Sequence, residues 1–200
     1  MKATTIEQIR YWLALVAIVQ IPGGLLYWIA IHPFVNFWKK VGYKWGLMTG
    51  FSVLLLMATL MILLREPLLA IQFGTSLPLF SAGLMLLVFG GWIRHNRKKK
   101  LGFLALIGLP ELAPQTFPSS LLTQGIYGHI RHPRYVEYFV VVLSYAMISN
   151  YLAIYVTAVF TFLMIAWIIP QEEQELASRF GEPYEAYRRS VPAVIPRFGV

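Results

Sequence analysis

Apolar residues run almost without charge through four stretches of this chain, at about 11–31, 47–64, 77–93 and 135–169. A helix that crosses a membrane needs about 20 apolar residues, because ~1.5 Å of rise per residue must cover a hydrocarbon core of ~30 Å. The first three stretches each predict one span, and Pro22-Gly23-Gly24 predicts a kink in the first. The fourth carries only Glu137 as a charge and is too long for a single span. Ser149-Asn150 offers a polar break near its middle, so it predicts a hairpin of two helices, about 133–149 and 151–169. The expected fold is all-α: a polytopic membrane bundle of about five spanning helices that ends in a helical hairpin.

After Pro170 the pattern changes. Leu176, Phe180, Pro183 and Tyr187 recur at helical spacing among charged residues, which predicts an amphipathic tail on the membrane surface. Gly181 reads as a helix stop and Pro183 as the first turn of a second short helix. The tail is expected to fold back beneath the loop that precedes the hairpin.

Composition agrees with the pattern. Of 200 residues, 58% are hydrophobic and 13% charged, against ~45–50% and ~25% in soluble domains. There is no cysteine, which excludes disulfides and thiolate catalysis. A formal charge of +8 would suit nucleic acid, but the basic residues sit beside the apolar spans, so the bilayer is the expected partner and nucleic acid is not. The run from Tyr11 to Ile31 is too long for a signal-peptide core and is expected to be a retained span.

In the five-span arrangement one side holds Lys2, Arg10 and Arg65, and the other holds 14 of the 17 basic residues. The positive-inside rule then places the 94–134 loop and the C-terminal tail in the cytoplasm and the N-terminus outside. Both ends of the hairpin, near His132 and near Glu172, must then share one face. A natural division is 1–100 as membrane-embedded helices and 101–200 as the region that carries chemistry.

Candidate chemistry concentrates at the two ends of the hairpin. In Arg131-His132-Pro133, proline keeps the residue before it out of the helix and suits the first helical position, so His132 should lie just outside a helix start. The free amides of that start, with Arg131 and Arg134, can meet an anion, or the arginines can simply snorkel. Glu172 and Glu173 follow an apolar span directly, where carboxylates are costly. They point ~100° apart on a helix, so one can face a ligand while the other meets solvent or a base. His129 and His132 supply too few ligands for zinc, so no metal is expected. His32 and His95 read as interfacial, the run Arg94 to Lys100 as a charge anchor, and Tyr127, Tyr135, Tyr138, Tyr184 and Tyr187 as an aromatic belt or a binding box.

Together, "LLTQGIYGHIRHPRYVEY", the hairpin, and "PQEEQELASRFGEPYEAYRRSVPAVIP" resemble the isoprenylcysteine carboxyl methyltransferase family and its phospholipid and small-thiol methyltransferase relatives. The resemblance covers about 121–196. It implies an S-adenosylmethionine site in which Leu121, Leu122, Gly125, Tyr127, His132, Pro133, Arg134 and Tyr135 line the cofactor and Glu172 holds one of its polar groups. It further implies methyl transfer to a lipophilic acceptor, such as an isoprenylcysteine carboxylate or a lipid headgroup. Arg131 and Glu173, with Glu137 as a lesser candidate, would orient that acceptor or take its proton. Two departures bear on the acceptor. Glu137 stands where many relatives have a small residue, and Ile168 stands where carboxyl methyltransferases of the family tend to carry arginine. The competing readings are a sterol-reductase-like NADPH oxidoreductase, disfavoured by Glu172-Glu173, and a non-catalytic membrane protein.

Overall fold

The computed structural model describes residues 5–98 and 107–196, and among the described residues there are nine α-helices and no strand. They are α1 (Thr5–Ile31), α2 (Val35–Val41), α3 (Tyr43–Leu63), α4 (Arg65–Leu68), α5 (Leu77–Lys98), α6 (Leu109–Leu112), α7 (Pro133–Ser149), α8 (Leu152–Phe180) and α9 (Glu182–Ser190). Four are long and apolar enough to cross a membrane: α1 with its continuation to Val41, then α3, α5 and α8. The first helix of the hairpin, α7, has 17 residues, or ~25 Å of rise, slightly short of a full span. Lys2, Lys99, Lys100 and Arg197 of the charge count lie outside the described residues.

Among the helix boundaries, the end of the second hairpin helix differs from the expectation. α1 passes through Pro22-Gly23-Gly24 as one helix of 27 residues. The glycines admit neighbours instead of breaking the helix. A Cβ on Gly23 would lie 3.3 Å from the Leu54 carbonyl oxygen, and one on Gly24 would lie 3.2 Å from the Tyr138 hydroxyl. That hydroxyl donates to the Ile21 carbonyl at 3.0 Å, in the turn the proline loosens. The second hairpin helix does not stop at Ile169. α8 continues through Pro170 to Phe180, 29 residues in all, and so carries Glu172 and Glu173 on a rigid extension of the span.

The bundle centre is made by α1, α7 and α8, where Ala14, Ala17 and Ile18 meet Val142, Ala146, Ile154 and Ala158. Lipid offers no hydrophobic drive between helices, so close approach depends on small residues. α3 docks on α1 at Gly50, where a Cβ would stand 2.6 Å from the Tyr27 ring, and α5 docks on α7 at Gly83 and Gly90. Leu55, Leu56, Leu63, Met85, Val88, Val159 and Phe162 remain exposed, a lipid-facing surface.

One end of the bundle is closed by Arg10, which is 2% exposed. Its guanidinium donates to the Ser149 carbonyl at 2.9 Å, to Thr75 Oγ1 at 3.1 Å and to Gln72 Oε1 at 3.2 Å. The start of α1, the 65–76 loop and the hairpin turn therefore gather at the same end. Asn150 makes that turn with φ 57° and donates from its side chain to the Gly74 carbonyl at 2.9 Å. The opposite end holds His132 and Glu172.

The α5–α7 contact predicts a stability effect. In Gly83→Ala the new methyl would meet Ile148 Cγ1 at 2.7 Å and the Ser144 carbonyl oxygen at 3.0 Å. Overpacking of this kind costs about 1–3 kcal/mol. Thermal unfolding in detergent should show a lower midpoint for the variant, and an unchanged midpoint would contradict this packing.

Candidate active site

The site begins with the backbone of the His-Pro block. His132 caps α7 with φ −117° and ψ 56°, and Pro133 takes the first helical position. The tail then pairs with this block from outside. The amides of Arg131 and His132 donate to the carbonyls of Pro192 and Ala193, each at 2.9 Å. The Tyr187 hydroxyl donates to the Tyr127 carbonyl at 2.6 Å, which ties α9 to the 3₁₀ turn Gly125–Gly128.

Side chains reinforce the closure. Arg131 Nε donates to Glu173 Oε1 at 3.0 Å, while its Nη1 donates to the carbonyls of Arg188, at 2.9 Å, and Val191. His132 Nε2 lies 3.1 Å from the same Glu173 oxygen, and Arg188 Nε lies 3.4 Å from the other. Glu173 thus draws together the start of α7, the end of α8 and the tail.

Glu172, one residue away, turns into a cleft. The cleft encloses about 830 Å³ of empty space, its open mouth included, within the size of small-molecule sites. One wall is Leu121, Leu122 and Tyr127, a second is Arg131, His132, Pro133, Arg134 and Tyr135, and a third is Glu172, Leu176 and Phe180 with Tyr184 and Tyr187. Pro110 and Glu111 of α6, with Ser119, Ser120 and Arg179, complete the lining. Glu172 Oε2 stands 3.6 Å from His132 Nδ1, too long for a hydrogen bond, and is buried without a hydrogen-bond partner. The buried Tyr184 hydroxyl also has none.

The candidates are thus brought together with two exceptions. Gly125 is absent from the cleft wall; its φ of 65° shapes the turn beneath it. Glu173, expected beside the acceptor, is also absent from the wall, and the Arg131 guanidinium is occupied by Glu173 and the tail. Glu137 faces the other way: Arg94 Nε and Arg97 Nε donate to its two oxygens at 2.7 and 2.8 Å. These arginines are helix–helix partners, more than the simple anchor their run suggested. His32, expected at the membrane interface, is buried within the protein. Its Nδ1 lies 2.9 Å from Glu111 Oε2 and its ring stacks on Trp28 at 4.6 Å.

Glu111, Ser119, Ser120 and Arg179 were not singled out by the sequence patterns. For Glu111 a signal existed, a lone carboxylate in the apolar run "LALIGLPEL". Leu176, Phe180, Tyr184 and Tyr187 were visible as an apolar stripe, and that stripe forms one wall of the cleft.

His132 lies at a helix cap outside the spans, and its protonation is set by the closure. Burial alone would depress its pKa, but the charges of Glu172 and Glu173, with the hydrogen bond to Glu173, outweigh it and raise the value from 6.5 to about 9. A raised folded-state value stabilises the fold fully below pH ~6.5 and loses that contribution as pH rises through about 9. Melting temperatures between pH 6 and 10 should therefore fall more steeply for the wild type than for His132→Asn. Parallel curves would contradict the charged clamp.

A family model described as phospholipid methyltransferase matches residues 79–183. Among curated proteins, the chain is 38% identical over 77 residues to a protein-S-isoprenylcysteine O-methyltransferase of Schizosaccharomyces pombe. That alignment covers 38% of this chain and 33% of the relative. It is 33% identical over 82 residues to a methanethiol S-methyltransferase of Crocosphaera subtropica, covering 41% of this chain and 31% of the relative. The chain therefore spans about a third of the length of these curated relatives. No solved structure matches. The family match takes in the helix that receives the Glu137 ion pair, the His-Pro block, the whole hairpin and both glutamates, more than half of the chain, and on that extent the chain belongs to the phospholipid methyltransferase family.

Proposed function

We propose that this protein is an integral membrane methyltransferase that uses S-adenosylmethionine in the cleft and methylates a lipophilic acceptor. The observation that carries the reading is Glu172: a buried carboxylate with one oxygen lacking a hydrogen-bond partner, set among apolar and aromatic walls. A buried carboxylate oxygen left without a hydrogen bond is costly, and an ammonium group of a bound ligand would satisfy it. The residues fit such a ligand: Leu121, Leu122, Leu176 and Phe180 offer apolar surface for a nucleoside, and Tyr184 offers an unused hydroxyl.

When bound, the cofactor supplies a methyl group already activated on a sulfonium. The protein's own work is then alignment, which is worth ~7–11 kcal/mol where reacting groups are held in line. Glu172 would fix the polar end of the cofactor, and His132, held between both glutamates, would fix Glu172. Beneath Tyr135 the structure turns apolar, with Ile165, Ile168, Trp28 and Phe139 packed toward the spans. That apolar packing reaches from the spans to the cleft wall at Tyr135 and suits an oily acceptor. Ile168 is fully buried there, so no guanidinium stands at that position to receive an acceptor carboxylate. The excess of basic residues at the cleft end supports a cytoplasmic site with the N-terminus outside.

Calorimetric titration of the detergent-purified protein with S-adenosylhomocysteine tests the assignment. Glu172→Gln and His132→Ala should each weaken binding at least about tenfold, or ~1.4 kcal/mol. Wild-type affinity in both variants would refute it.

A further inference from the structure

We propose that Glu111, positioned by His32, is the group that takes the proton from the methyl acceptor, and that the acceptor is therefore protic, a thiol or an amine. This rests on the methyltransferase reading and adds to it the acceptor's chemistry and the residue that meets it.

Among the described residues, the cleft wall carries two carboxylates, Glu111 and Glu172. Glu173 and Glu137 point away into ion pairs, and Glu175 is not on the wall. With Glu172 matched to the cofactor, Glu111 is left without a role in binding it. Glu111 is 8% exposed on the four-residue helix α6, which Gly108 starts with φ 77°. It meets His32 at the end of α1, and the Trp28 ring stacked on His32 fixes the imidazole. His32 Nε2 is buried without a hydrogen-bond partner, while its Nδ1 holds Glu111 Oε2. A histidine serving structure alone would be expected to satisfy its second ring nitrogen as well. Arg131 and Arg179 also reach the wall, but they are engaged by Glu173 and by Glu175 with Ser119.

The chemistry balances with this base in place. A lone pair on the acceptor sulfur or nitrogen forms a bond to the methyl carbon as the carbon–sulfonium bond breaks. The breaking pair returns to the sulfur, leaving a neutral thioether, and the S–H or N–H proton passes to the Glu111 carboxylate. A carboxylate acceptor has no proton to release and would not use such a group. His32 is a positioning residue that orients the Glu111 carboxylate. The charges and titratable groups that bear on Glu111 are His32 and Tyr27 from the first span, Arg134 and Tyr135 from α7, and Glu175 from α8.

The test uses purified full-length protein, labelled S-adenosylmethionine and three acceptors. These are 1-dodecanethiol, dioleoyl phosphatidylethanolamine in mixed detergent micelles, and N-acetyl-S-farnesylcysteine. The wild type should label the thiol or the amine in preference to the carboxylate, and the first two arms separate those two sources. Glu111→Gln should keep S-adenosylhomocysteine affinity, measured by calorimetry, within about twofold of wild type. Its kcat on the protic acceptor should fall about 10²-fold or more, recovering as pH rises toward the acceptor's own pKa. His32→Gln should shift the same pH profile with a smaller loss. Retained kcat in Glu111→Gln, labelling of the carboxylate alone, or labelling of none of the three overturns the proposal. If Glu111→Gln does not fold, Glu111→Asp decides: an unaltered pH profile there also overturns it. Failure of the wild type to bind S-adenosylhomocysteine would instead remove the methyltransferase reading beneath it.

Discussion

A carboxylate that is not on the cleft wall holds the cleft together. Glu173 accepts from Arg131 and His132 at the start of α7 and pairs with Arg188 of α9, while itself riding on the end of α8. A buried ion pair is a weak source of net stability, because desolvation offsets much of the attraction. Its geometric effect is larger: one carboxylate meets Arg131, His132 and Arg188 together, which sets how the three segments join. The backbone ladder from Arg131 and His132 to Pro192 and Ala193 depends on that junction. So does the placement of Glu172, which turns inward because its neighbour is held outward.

The far end of the bundle makes this closure possible. Arg10 binds the hairpin turn and the 65–76 loop to the start of α1, so α7 and α8 leave a common corner and return side by side to the cleft. Between the two ends the helices pack by backbone approach at glycines, leaving bulky residues for lipid. The division is physical. Polar networks at the two ends set direction and register, and small-residue contacts in the middle set distance.

Much of this was legible in residue patterns. Hydropathy located the four described helices long and apolar enough to cross a membrane, because the length of an apolar run answers directly to bilayer thickness. Pro133 and Gly181 located helix ends through local backbone preference, and both stand where expected. The split orientation of Glu172 and Glu173 followed from helical geometry alone. What could not be read was tertiary partnership. The roles of Glu137 with Arg94 and Arg97, and of His32 with Glu111, depend on contacts across 40 or more residues that no local spacing encodes. Pro170 misled for a similar reason. A proline inside a span is tolerated when neighbouring helices and side chains compensate the lost hydrogen bond, and those neighbours are invisible in the local sequence.

The central claim is that one small ligand bridges the two ends of the hairpin and the tail. Hydrogen-exchange mass spectrometry of the wild-type protein, with and without S-adenosylhomocysteine, measures this most directly. The account predicts that ligand slows exchange together in peptides covering 119–135 and 172–191, with the Arg10 end of the bundle unchanged. Protection confined to one of those segments, or appearing at the Arg10 end instead, would contradict it.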